Sequence, residues 1–144
     1  MSNIKWQISD NERTMKKQAG EKAEWERKDV PFEIREQTFQ FAVRVVKLVR
    51  RLPKTLDAVE IGRQLIKSGT SVGANVEEAH GAESQRNFVH KMSISRKEAR
   101  ESRYWLRLIC AAILDDAEVK SLIQESDELV RILSAIVATA KKHI

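Results

Sequence analysis

Ile34, Thr38, Phe41, Val45, Leu48 and Leu52 follow one another in alternating steps of four and three. That spacing keeps one face of a helix turned toward a core. Pro31 suits the first helical turn, where its missing N–H costs nothing, and Pro53 ends the run. The same steps return in Ile61, Leu65, Ser68, Val72, Asn75 and Ala79, with Thr55 as N-cap and Gly81 as a stop just past the end. A third series, Phe88, Met92, Ser95, Ala99, Ser102, Leu106, Ile109 and Ile113, begins after a capping Ser84. Asp115 and Glu118 have the spacing of a capping box and open a fourth, Leu122, Ser126, Leu129, Leu133, Ile136 and Ala140. Four stripes joined by short connections predict an all-α fold, an antiparallel up-down four-helix bundle over residues 31–144. Residues 1–30 scatter Trp6, Met15 and Trp25 among charges without a stripe, which predicts a flexible or partly helical N-terminal extension.

The second series passes through Ser68-Gly-Thr-Ser-Val-Gly-Ala-Asn75, a composition usual in loops. A Walker loop needs a lysine directly after its last glycine, and none follows Gly73. The unbroken register makes the stretch helical, so Gly62, Gly69 and Gly73 each cost roughly 1 kcal/mol relative to alanine. Close approach of a neighbouring helix, whose larger side chains fill the space, compensates for that cost. Helix three, with Ser95, Ala99 and Ser102 at mid-seam, is the expected neighbour.

Of the 144 residues, 42% are apolar and 33% charged, with only 5 glycines and 2 prolines, which fits a few long helices. Cys110 is the single cysteine, so no internal disulfide can form, and its place beside Ile109 reads as core. The longest apolar run, Leu108 to Leu114, is far short of the roughly 20 residues that span a bilayer. No signal-peptide run opens the chain, and a cytoplasmic location is expected.

Net charge is +5, but it alternates by segment. Residues 31–54 hold six basic and two acidic groups, 55–83 two and five, 84–114 seven and two, and 115–144 four and six. Arg96, Arg100, Arg103 and Arg107 each follow a seam residue of helix three by one position, forming one stripe. Arg44, Lys47 and Arg51 form a second on helix one. Such stripes suit contact with the phosphates of RNA or DNA. Acidic helices two and four could instead absorb them as ion pairs within the bundle or between copies, leaving a protein-binding adaptor or assembly scaffold. Ile94, Trp105 and Leu108, read as facing away from the core on helix three, predict a self-association surface or a dock for a protein partner.

The segment "SGTSVGANVEEAHGAESQRNFVHKMSISRKEARESRYWLRLI", residues 68–109, resembles the bacterial four-helix bundle family encoded within intervening sequences of large-subunit ribosomal RNA genes. Ser71, Asn75, Glu78, Phe88, Glu98, Glu101 and the Tyr104–Trp105 pair carry the resemblance, which covers helices one and four by pattern only. It implies the same bundle, and related members form homo-pentameric rings. The accessory protein of diversity-generating retroelements is similar, and it binds nucleic acid and a reverse transcriptase.

Asn75 is the polar member of its seam, and such buried amides fix register or oligomer state. Ser71, Glu78 and Glu98 are the expected structural polar residues around it. Glu77 and His80 form one Glu-x-x-His step, but a di-iron bundle site needs two such motifs and two further carboxylates. No metal site, cofactor or catalytic residue is therefore expected, and the chain reads as a non-enzymatic binding protein.

Overall fold

A computed structural model of the chain describes residues 30–144. The expected extension over residues 1–30 lies, but for Val30, outside the described residues. Four helices follow: α1 (Phe32–Arg51), α2 (Leu56–Ala79), α3 (Gln85–Ala112) and α4 (Ala117–Lys141). The connections are residues 52–55, 80–84 and 113–116. Links so short force successive helices to run antiparallel. Each helix packs on its chain neighbours, and α4 closes back on α1 over a shorter stretch.

Every predicted seam residue of α1 is buried, as are Leu65, Met92, Leu106, Ile109, Leu122, Leu129, Leu133 and Ile136 of the other helices. Each large side chain so buried contributes about 1.5–3 kcal/mol relative to exposure. Ser84 caps α3 as expected, its Oγ accepting from the N–H of Asn87 at 3.0 Å. Gly81 follows α2 at φ +75, the left-handed conformation that suits a helix end.

Three of the interhelical seams differ in chemistry. Between α1 and α2 they are smooth: Gly62 faces Val49 and Leu52, Gly69 faces Val45, and Gly73 faces Thr38. The glycines thus admit α1, not the expected α3. Toward α3, α2 instead offers Ser68 and Val72: Ser95 Oγ donates to Val72 O at 2.8 Å, and the Ser68 and Ser102 hydroxyls meet at 2.9 Å. Charged groups dominate the edge between α1 and α4, where Gln37 donates to Glu125 and Arg44 and Arg51 meet Glu118 and Asp116.

Two local expectations need correction. The cap of α4 is Asp116, whose Oδ1 accepts from the N–H of Val119 at 3.0 Å. Asp115 instead meets Lys120, and Glu118 turns to Arg44 rather than closing a capping box. On α2 the buried line runs through Gly62, Val72, Val76 and Ala79, which leaves Asn75 half-buried. A helix wedged between two neighbours buries a broad face, so Ser68 and Gly69 are both inside and the narrow seam loses its phase.

Candidate nucleic-acid interface

Two residues before each seam residue of α3 from Phe88 to Ile109 lie Arg86, His90, Ser93, Lys97, Arg100, Tyr104 and Arg107. Two residues turn a helix through about 200°, so this line is the outermost face of α3. All but the half-buried Ser93 are exposed, and the line contains no carboxylate. From Arg86 to Arg107 it extends about 30 Å at the helical rise. Among the described residues Arg86, Arg100 and Arg107 form no ion pair, nor does the half-buried Arg96 beside them.

The predicted stripe is therefore divided. Arg103 Nη1 lies 2.6 Å from Asp127 Oδ1 of α4, which ties α3 to α4. Arg131 follows Asp127 by four residues on α4 and is exposed one turn beyond that ion pair. The basic surface thus extends from α3 onto α4.

The stripe of α1 has another fate. Arg44 donates through Nε and Nη2 to the two oxygens of Glu118, at 3.0 and 3.3 Å, and through Nη2 to Ser121 Oγ at 2.8 Å. Arg51 meets Asp116, whose carboxyl is held below its ordinary range by the Val119 N–H first and by Arg51 second. Only Lys47 of the three remains exposed and without a carboxylate partner among the described residues.

Tyr104 stands on the ridge with 56% of its surface exposed. Its ring meets Trp105 edge to face, with centroids 5.0 Å apart and planes at 75°. Trp105 Nε1 donates to Glu101 Oε2 at 3.1 Å, so the pair is braced from the helix itself. Trp105 packs against the core, and Ile94 and Leu108 are half-buried. These three flank the seam of α3 and do not face away from the core: each precedes a seam residue by one position. Besides Tyr104 and Ile144, the large exposed apolar side chains among the described residues lie on α1 and α2, at Phe32, Phe39 (58%), Leu56 (81%), Val59 (41%) and Ile66.

The expected polar network around Asn75 does not form. Asn75 Nδ2 donates to Ser71 O and Ser71 Oγ to Lys67 O, both within α2. Glu78 pairs across the α2–α3 seam with Lys91 at 2.7 Å. Glu98 is half-buried, and desolvation first, then repulsion from Glu101, raises its carboxyl above the usual range. Glu77 pairs with Arg35, and His80 Nδ1 accepts from the N–H of Val30 at 3.0 Å, so this half-motif ties down the start of α1. Among the described residues no three His, Cys, Asp or Glu side chains converge as a metal site would need. Among them, too, no helix is long and apolar enough to cross a membrane.

The basic residues of α3 were legible in the sequence, but the stripe about 100° from the core includes Arg103, which α4 holds, and the half-buried Arg96. The outermost line was available from the same seam, two positions back instead of one forward. Pairing of Arg103 with Asp127 depends on the α3–α4 register, which no local spacing reveals.

Comparison with known proteins bears on the whole bundle. Residues 31–135 match the family model described as the 23S rRNA-intervening sequence protein. The crystal structure of a protein of unknown function from the S23 ribosomal protein family of Bacteroides thetaiotaomicron is similar at 33% identity and a TM-score of 0.67. The match covers 72% of this chain and 97% of that one. No curated protein matches the chain.

Proposed function

The chain belongs to the 23S rRNA-intervening sequence protein family, and from that premise we propose a non-enzymatic, self-associating bundle that binds structured RNA along the outer face of α3. The carboxylate-free line of Arg86, Lys97, Arg100 and Arg107 carries this reading. Exposed cations without partners can neutralise successive phosphates and release their counterions at little cost to the bundle. Arg44 and Arg51 play a structural part in this reading, since carboxylates of α4 already hold them. A structured RNA is the first ligand to test, with duplex DNA beside it.

The test is fluorescence anisotropy over a salt series with the wild type and the triple variant Arg86→Ala/Arg100→Ala/Arg107→Ala. The wild type should bind with an affinity that falls steeply with salt. The variant's log–log slope should be shallower by about 0.7–0.9 for each phosphate it no longer neutralises. Absence of binding at low salt, or an unchanged slope in the variant, overturns the reading.

Self-association is assigned to the α1–α2 edge, because Leu56, Val59 and Phe39 expose apolar surface there that a solitary bundle has no use for. Light scattering at micromolar concentration should give a mass above the 16.5 kDa of one chain. Val59→Glu should return it to that mass. A wild-type monomer removes self-association from the proposal. The same edge is where an adaptor would seat a protein partner, and binding to a partner with weak salt dependence would favour that rival.

A further inference from the structure

At the α4-facing end of the basic ridge a cavity of about 530 Å³ opens between α3 and α4. Tyr104 and Arg107 of the ridge form one wall, Leu108 and Ile123 supply apolar surface, and Asp115 and Lys120 stand at the turn. We infer that this cavity receives one unstacked nucleotide of the bound RNA. The inference rests on the RNA reading above and adds to it what part of an RNA is recognised.

Each wall has the chemistry a nucleotide requires. Tyr104 offers an exposed aromatic ring for stacking, in edge-to-face contact with Trp105, which Glu101 braces in turn. Bases stack on such rings without regard to sequence. Arg107 continues the line of unpaired cations into the cavity, so the backbone that tracks the ridge delivers a phosphate there. Lys120 lies 3.3 Å from Asp115, so the two form an ion pair at the turn and Arg107 is the unpaired cation of the cavity. Asp115 accepts hydrogen bonds, and the Watson–Crick edge of an unpaired base offers N–H donors to it. The volume falls in the range of sites for small organic ligands, roughly 300–1,000 Å³, and exceeds what one base needs. A protein side chain with an apolar body would use the apolar wall but leave Arg107 without an anion. A nucleotide uses both.

The prediction concerns shape. A hairpin with a single-nucleotide bulge should bind more tightly than the same hairpin fully paired, and an abasic residue at the bulge should remove the advantage. Tyr104→Ala should weaken the bulged RNA by about 5- to 100-fold, the range usual for one base–aromatic stack, and leave the paired hairpin nearly unchanged. Tyr104→Phe should keep the preference. Tyr104 is largely exposed, so these variants should fold, which circular dichroism checks. Equal binding of bulged and paired hairpins by the wild type overturns the nucleotide pocket and leaves the ridge standing. Equal weakening of both hairpins by Tyr104→Ala also overturns it. If neither hairpin binds the wild type at low salt, the RNA reading falls and the pocket with it.

Discussion

Gly69 of α2 lies so close to Val45 of α1 that a Cβ on it would stand 3.0 Å from both Val45 methyl carbons. Valine in a helix has essentially one χ1 rotamer, so those methyls cannot swing aside. Gly69→Ala should therefore destabilise the bundle by about 1–2 kcal/mol, although alanine is the better helix former by about 1 kcal/mol. Val45→Ala opens the space. In that background Gly69→Ala should become stabilising, and urea denaturation of the four proteins measures the reversal. Destabilisation of the same size in both backgrounds would show that packing against Val45 is not what the glycine serves.

Ser68 and Ser102 make the one hydroxyl pair buried between α2 and α3 among the described residues. Ser102 Oγ also lies 2.8 Å from Glu98 O, whereas the other partner of Ser68, Leu65 O, stands at 3.4 Å. Ser102→Ala leaves the Ser68 hydroxyl poorly satisfied and should cost about 1–3 kcal/mol. The double variant Ser68→Ala/Ser102→Ala should cost less than the sum of the singles, because no orphaned hydroxyl remains. Strict additivity in thermal or urea unfolding would refute the pairing.

Those two seams mark how far the sequence could be read. The periods of three and four identify the helices, their order and nearly all of the core, since a buried face leaves its repeat in the chain. They do not say which neighbour a given face meets. Gly69 and Ser68 are adjacent in sequence, yet one faces α1 and the other α3. The small residues were visible and their partners were not, because partner choice depends on how the whole bundle closes. The same limit applies to charge. Arg44 and Arg100 look alike along the chain, and only the position of α4 separates the held cation from the free one.

Glu98 gives a pH dependence of known sign. Burial and the neighbouring Glu101 raise its carboxyl in the folded state, so folding is opposed by its charge. The penalty is complete above the folded value and disappears below the ordinary carboxylate range. Glu98→Gln should stabilise the protein at pH 7, modestly because the side chain is only half-buried, and should lose that advantage as pH falls toward about 4. A gain that persists unchanged at low pH would mean the substitution acts through packing instead.

Arg44 and Arg100 should separate stability from binding. Arg44 is held by both oxygens of Glu118 and by Ser121, with about a third of its side chain exposed. Arg44→Ala should lower stability by up to about 1 kcal/mol, the upper end for partly screened pairs, and leave the salt slope of RNA binding intact. Arg100 has no ion pair among the described residues, so Arg100→Ala should change stability by less than about 0.5 kcal/mol. Its slope should drop by about 0.7–0.9, the equivalent of one phosphate. Urea unfolding and anisotropy on the same two variants decide the matter. If Arg44→Ala lowers the slope as much as Arg100→Ala, the cations of α1 leave their carboxylates to meet RNA, and the interface spans two faces of the bundle. If only Arg100→Ala does, the interface is the outer line of α3, and the charges of α1 serve the closure of α4.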